Sequence, residues 1–125
     1  MPIAQEKRPR SGRAGAAKTP SAALSLRKKL GVSQRVFARM ISLSERSLAD
    51  LEKGRPQSQS TQRRLMELAR LYESLARVVQ PGVIGQWFQE PNPAFDGLKP
   101  LEVVERGQID RLWAMIYDLQ SGAPS

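Results

Sequence analysis

The chain has 125 residues with 20 Lys/Arg against 12 Asp/Glu, which gives a formal net charge of +8. It contains no cysteine and no histidine, which excludes disulfides, the usual zinc sites and histidine acid–base catalysis. Without a glycine-rich phosphate loop or a paired-carboxylate motif we expect no enzyme and no cofactor, and without an apolar run of ~20 residues we expect a cytoplasmic protein with no membrane partner.

The charge is divided unevenly along the chain. Residues 1–79 hold 17 Lys/Arg and 6 Asp/Glu, a net charge of +11, whereas residues 80–125 hold 3 and 6, a net charge of −3. A segment this basic favours a polyanionic partner, nucleic acid before an anionic membrane surface. The mildly acidic remainder indicates a second task for the chain.

The N-terminal part begins with an arm and continues with two short helices. Residues 1–20 are rich in Arg, Lys, Gly, Pro and Ala, so we expect a flexible basic arm that is either idle or lies on phosphates. Leu26 and Leu30 then lie one turn apart in a helix that ends at Gly31. Ser33 caps a second helix with one apolar face, formed by Val36, Phe37, Met40 and Ile41.

Two further helices complete the basic part. Ser44 caps a third helix, which Gly54 closes. A long helix is predicted to start at Ser60 or Thr61 and to end before Pro81. Its apolar stripe comprises Leu65, Leu68, Ala69, Tyr72, Leu75, Ala76 and Val79.

The acidic part is also predicted to be helical. A short helix over VIGQWFQE is followed by the turn-rich loop PNPAFDGLKP and by a helix that begins at Pro100. The last helix runs from about Gln108 to Leu119, with a predicted buried face of Ile109, Leu112, Trp113, Ile116 and Leu119. No alternating strand pattern occurs, so the fold class is all-α. We expect a helix-turn-helix bundle at 21–60, followed by the long helix and a small C-terminal domain at 61–122.

The spacing of the second and third helices fits a DNA-reading helix-turn-helix, whose third helix enters the major groove. Ser42 stands at the corner, where φ must be positive and glycine is usual. Arg46 is the strongest candidate for reading bases, because its guanidinium can contact guanine with two hydrogen bonds. The alternative is an intrahelical pair with Asp50. The predicted DNA-binding residues are Gln34, Ser44, Glu45, Arg46, Ser47, Asp50, Lys53 and Arg55.

The segments LRKKLGVSQRVFAR and SLSERSLADLEKG resemble the Xre-type helix-turn-helix of phage repressors, over roughly residues 24–65. The resemblance implies a compact helical domain with the 44–53 helix in the major groove. It also implies a buried ion pair between Arg27 and Glu52. The other possibility for Glu52 is a solvated helix position.

A second resemblance covers about residues 62–122. The order W–x–PNPA–x–G–x–P–L–E resembles the toxin-binding domain of the Xre/MbcA/ParS antitoxins. The residues that carry it are Trp87, Asn92, Pro93, Ala94, Gly97, Pro100, Leu101 and Glu102. Within this domain we regard Trp87, Pro93, Pro100 and Trp113 as structural residues.

This second resemblance implies the antitoxin of a type II toxin–antitoxin system, whose partner is an NAD-consuming RES-domain toxin. In that family the C-terminal domain occludes the toxin's active site and the helix-turn-helix binds operator DNA to repress the shared operon. Members dimerise, which suits paired DNA half-sites. The resemblance places toxin contacts near the last helix and tail, at Arg111, Tyr117, Ser121 and Gly122. The alternative is a stand-alone dimeric helix-turn-helix repressor with no toxin partner.

Overall fold

The computed structural model describes residues 21–122, which form helices joined by short turns and contain no strand. The predicted basic arm and residues 123–125 lie outside this part. The α-helices are α1 (Ala22–Leu30), α2 (Gln34–Met40), α3 (Glu45–Glu52), α4 (Gln59–Leu75), α5 (Ile84–Phe88), α6 (Pro100–Glu105) and α7 (Ile109–Ser121), with 3-10 turns at Pro81–Val83 and Pro93–Phe95. The all-α prediction is therefore confirmed. No helix among these residues is both long and apolar enough to cross a membrane.

Serine side chains cap the first four helices, beginning with Ser21, whose Oγ accepts from the Leu24 N–H at 3.0 Å. The Oγ atoms of Ser33 and Ser44 accept hydrogen bonds from the first turns of α2 and α3, so both predicted caps are confirmed. The Oγ of Ser58 accepts from the backbone N–H of Thr61 at 3.2 Å. The long helix therefore begins at Gln59, slightly before the predicted start, because Ser58 supplies the cap.

Two predictions about the long helix are wrong. It ends at Leu75 rather than near Val79, because the N–H groups of Arg77 and Val78 donate three residues back, to the carbonyls of Ser74 and Leu75 at 3.2 and 2.9 Å, and not four residues back as in an α-helix. The predicted stripe also omitted Leu71, which is fully buried. Because α4 contacts both α1 and α7, its buried surface is wider than a single stripe.

The last helix is longer than predicted and partly uncovered. It continues to Ser121, where Gly122 closes it with a positive φ of 70°. Leu112 and Ile116 are buried as predicted, whereas Ile109 and Trp113 are half-buried. The predicted burial of Leu119 is wrong, since this side chain is 52% exposed. The described elements cover the first turns of α7 and leave its last turn open on one side.

One hydrophobic core connects the helix-turn-helix to the C-terminal helices. α6 packs on α2, and the 3-10 turn before α5 packs on α1. Gly85 lies so close to α1 that a Cβ atom there would come within 2.0 Å of the Leu30 carbonyl oxygen. The buried side chains of both parts form a single cluster, so the C-terminal helices are positioned directly by the helix-turn-helix.

A bidentate ion pair also joins the two parts. Arg39 of α2 donates to both carboxylate oxygens of Glu105 at the end of α6, each at 2.7 Å. The hydrogen bonds from Arg39 lower the pKa of the Glu105 carboxyl group below its ordinary value, against the opposing effect of burial. Nothing in the sequence indicated this pair, because its members are 66 residues apart.

Candidate functional site

The corner of the helix-turn-helix is built around Ser42, which adopts the left-handed conformation with φ 59°. The corner stays closed, because the N–H of Leu43 donates to the Ala38 carbonyl at 2.9 Å and that of Ser42 to the Arg39 carbonyl at 3.3 Å. Holding a serine in this conformation costs about 1 kcal/mol relative to glycine. The predicted positive φ at this corner is confirmed.

A network of Arg27, Gln34 and Glu52 ties α1, α2 and α3 together. Arg27 donates to both oxygens of Glu52, at 2.5 and 3.1 Å, and also to the Val32 carbonyl at 3.3 Å. Gln34 Nε2 donates to Glu52 Oε1 at 2.8 Å. The Glu52 side chain is only 7% exposed, so the ion pair with Arg27 is present and Glu52 is not a solvated residue.

The surroundings of Glu52 act on its ionisation in opposite directions. Burial raises the pKa of its carboxyl group, whereas the hydrogen bonds from Arg27 and Gln34 lower it. The hydrogen bonds and the nearby charges outweigh burial, so the pKa of Glu52 lies below its ordinary value. Glu52 therefore stays ionised at neutral pH and keeps the three helices in register.

The first turn of α3 presents the predicted DNA-reading residues. Glu45 and Arg46 are exposed. The hydroxyl of Ser44 donates to that of Ser47 at 3.0 Å, so these two serines first serve the helix cap. Arg46 has no ion pair within residues 21–122, which leaves its guanidinium available to a ligand.

At the end of α3, the ion pair of Asp50 differs from the alternative that the sequence offered. Asp50 pairs with Arg55, Oδ1 to Nη1 at 3.3 Å, and not with Arg46. The predicted alternative of an intrahelical Arg46–Asp50 pair is therefore wrong, because the chain turns back after α3 and brings Arg55 to the Asp50 carboxylate. Lys53 is exposed at the end of the helix. Gln34 lies behind this surface, with its amide held by Glu52.

A second candidate surface is a groove between the PNPAFDG loop and α7. It encloses about 560 Å³ and is lined by Ala94, Phe95, Arg111, Ala114, Met115, Asp118 and Leu119. The loop is held by Asn92, whose side chain accepts from the Ala94 N–H at 2.9 Å and whose backbone carbonyl accepts from Phe95 and Gly97. Trp87 packs edge-on against Phe95, with 6.5 Å between the ring centroids. The groove is therefore a mostly apolar depression whose loop wall is held in place by hydrogen bonds and by the packing of Trp87 on Phe95.

Arg111 is fixed at the rim of this groove. Its guanidinium lies 5.6 Å from the centroid of the Phe95 ring, and it donates to Asp96 Oδ2 at 3.2 Å and to Gln108 Oε1 at 3.2 Å. Asp96 reaches this position in the left-handed conformation, with φ 58°. The groove thus combines apolar walls with one positioned cation, an arrangement suited to a protein partner.

The structure separates the residues that the sequence grouped as toxin contacts. Arg111 lines the groove, whereas Tyr117 is six residues further on and therefore projects from a different side of α7. Tyr117 is 72% exposed. Ser121 and Gly122 form the end of the helix, where the Ser121 hydroxyl donates to the Asp118 carbonyl at 3.0 Å. Sequence reasoning missed Phe95, Met115 and Leu119 as groove residues, although Phe95 directly follows PNPA and the apolar side chains of the last helix were visible.

No group of three or more Asp or Glu side chains within residues 21–122 is arranged to hold a metal ion. Trp87 and Trp113, predicted as structural residues, are both half-buried, and Pro100 is buried at the start of α6. Pro93 opens the 3-10 turn that forms one wall of the groove.

Known proteins resemble this chain over most of its length. A family model described as "Helix-turn-helix" matches residues 24–76. The mycobacterial cidal antitoxin MbcA of Mycobacterium bovis, and that of Mycobacterium tuberculosis, are 31% identical to the chain over 96 residues, which cover 75% of this chain and 84% of the relative. A chain in the crystal structure of the M. tuberculosis MbcT–MbcA toxin–antitoxin complex matches with a TM-score of 0.68 and 27% identity, covering 83% of this chain and 95% of that one.

Proposed function

Because the chain belongs to the MbcA family of antitoxins, we propose that it neutralises a cognate toxin with its C-terminal helices and represses its own operon with its helix-turn-helix. The observation that carries this proposal is a relationship of 31% identity over 96 residues, which cover 75% of this chain and 84% of the relative. The matched crystal structure is that of a toxin–antitoxin complex. This supports a toxin as the partner of the present chain.

The toxin is proposed to dock on the groove beside α7. A groove with apolar walls, a fixed arginine at the rim and an exposed Leu119 has the composition of a protein interface. Tyr117 extends this surface onto the outer side of α7. From the antitoxin resemblance we further propose that the toxin is an NAD-consuming RES-domain enzyme and that α7 with its tail covers its active site.

The DNA is proposed to bind along α3. The guanidinium of Arg46, which has no ion pair among the described residues, lies at the exposed first turn, and Lys53 and Arg55 flank the other end. Paired half-sites require two copies of the reading helix about one helical turn of DNA apart. We therefore also propose that the chain acts as a homodimer on operator DNA in the cytoplasm.

Affinity capture from native cells, with mass spectrometry of the copurifying proteins, tests the toxin proposal. We expect a stoichiometric partner encoded beside this chain, and we expect Leu119→Arg to lose it because a charge would enter the apolar groove. Val83→Arg is the matched control, since Val83 is also apolar and 44% exposed but lies outside the groove. Growth of cells that express the partner measures neutralisation.

Two outcomes would contradict this proposal. Absence of any stoichiometric partner, together with specific binding to its own promoter DNA, would favour the stand-alone repressor. Equal loss of the partner in both variants would remove the groove as its site.

A further inference from the structure

The outer side of α4 carries charges of alternating sign. Arg63, Glu67, Arg70, Glu73 and Arg77 recur every three or four residues, which places them along one side of the helix and of the turn that follows it. Side chains at this spacing often form ion pairs within their own helix. Within residues 21–122, however, none of these five side chains has an ion pair or a hydrogen bond.

Apolar side chains interrupt this row of charges. Trp113 of α7 is half-buried beside α4, and Met66 is 55% exposed. Two shallow depressions of about 540 and 560 Å³ lie next to each other along α4, and Arg70 and Trp113 line both. Tryptophan, methionine and arginine are enriched in protein interfaces. We name this surface the α4–α7 face, formed by Met66, Glu67, Arg70, Glu73, Arg77 and Trp113.

We propose that the α4–α7 face binds the same face of a second copy of this chain, with the two α4 helices antiparallel across a two-fold axis. In such an isologous contact each pairing occurs twice. An axis that passes between residues 71 and 72 places Arg70 opposite Glu73 of the second copy. The same register places Arg77 beside the turn that carries Glu67 of the second copy, while both Trp113 side chains lie close to the axis.

The alternating charges along the α4–α7 face favour a second copy of this chain as the partner. A uniformly basic face would fit DNA or an acidic protein, whereas a face that carries both signs in alternation is complementary to itself when it is turned by two-fold symmetry. An axis at Arg70 would place arginine opposite arginine, so the charges also determine the register. This proposal rests on the homodimer proposed above and locates its interface.

The second copy leaves the groove open. Trp113 and Met115 are two residues apart on α7, which separates their side chains by more than half a turn around the helix. The dimer contact therefore uses one side of α7 and the groove uses another. One chain can hold a second copy and a toxin at the same time.

The test measures the mass of the full chain by analytical ultracentrifugation without DNA or toxin. We expect wild type at twice 13.9 kDa. Arg70→Glu and Glu73→Arg each set like charges against each other twice, which should raise the dimer Kd by more than about tenfold. An equimolar mixture of these two variants should again form a dimer, because every pair across the axis is then of opposite charge. Arg106→Glu, an exposed arginine without an ion pair among the described residues, is the matched control and should stay dimeric.

Several results would overturn the proposal: a monomeric wild type, single variants that dimerise like wild type, or a mixture that stays monomeric. Circular dichroism checks that the variants are folded. If one is not, the milder Arg70→Gln and Glu73→Gln replace the reversals and should each weaken the dimer. Copurification of the toxin is measured separately. A monomer that still captures its toxin would overturn this interface and leave the antitoxin function standing.

Discussion

At the scale of single residues, the charged side chains of the helix-turn-helix divide into those already occupied and those left free. Arg27 and Glu52 form an ion pair with each other, and Gln34 also donates a hydrogen bond to Glu52. Arg46 at the front is free of ion pairs within residues 21–122. The guanidinium of the largely buried Arg27 therefore stabilises the fold, whereas the guanidinium of the exposed Arg46 can be reached by DNA.

Replacing Glu52 by glutamine should lower the free energy of unfolding by about 3 kcal/mol at neutral pH, because it leaves the largely buried Arg27 without its anion. The pKa of Glu52 is lowered from 4.5 in the folded chain, so its contribution is fully present above pH 4.5 and is lost as the pH falls through the lower folded value. Urea unfolding across this acidic range measures both effects.

The exposed Glu90→Gln is the control for this change, since within residues 21–122 its carboxylate accepts a hydrogen bond only from the exposed Gln86. It should leave the stability and its pH dependence nearly unchanged. If Glu52→Gln unfolds with the same free energy as wild type and retains the acidic loss of stability, the ion pair does not stabilise the fold.

At the scale of elements, the proposed DNA contacts lie at the two ends of α3. Arg46 lies at its exposed first turn, and Lys53 lies at its other end. We expect Arg46→Ala to cost about 1–3 kcal/mol in binding to the operator and much less on random DNA, because a base contact discriminates between sequences. Lys53→Ala should weaken both alike and reduce the salt slope by about 1, as loss of a phosphate contact does. Fluorescence anisotropy with operator and random duplexes at several salt concentrations separates the two patterns, and equal losses for Arg46→Ala would assign it to a phosphate.

At the scale of the whole molecule, the helix-turn-helix and the C-terminal helices share one core and are fastened by the Arg39–Glu105 pair. Their backbones also approach closely where Gly85 lies on Leu30. A toxin bound beside α7, as proposed, would therefore contact a body that is continuous with α3. Shared packing also means that shortening the chain from its C-terminal end removes core, so point substitutions are the sharper way to locate the toxin site.

Gly85→Ala tests this shared packing. Its Cβ would meet the Leu30 carbonyl oxygen at 2.0 Å, so backbone must shift and we expect a loss of roughly 1–3 kcal/mol in the free energy of unfolding. Gly82→Ala is the matched control, because a Cβ there has no neighbour within 4 Å. Thermal unfolding followed by circular dichroism compares the two. Equal melting temperatures would show that α5 does not press on α1.

The sequence by itself determined the order of the helices, the serine caps of α2 and α3 and the positive φ at Ser42. Periodicity, capping and corner geometry depend on neighbours close in the chain, whereas the pairing of Arg27 with Glu52 was implied only by a family resemblance. Only the tertiary structure decided the end of α4, the exposure of Leu119, the partner of Asp50 and the groove beside Phe95. It alone brought Arg39 to Glu105 and Gly85 to Leu30. These features depend on which surfaces meet after the chain has turned several times, and a helical pattern shows that a face is apolar without showing what covers it.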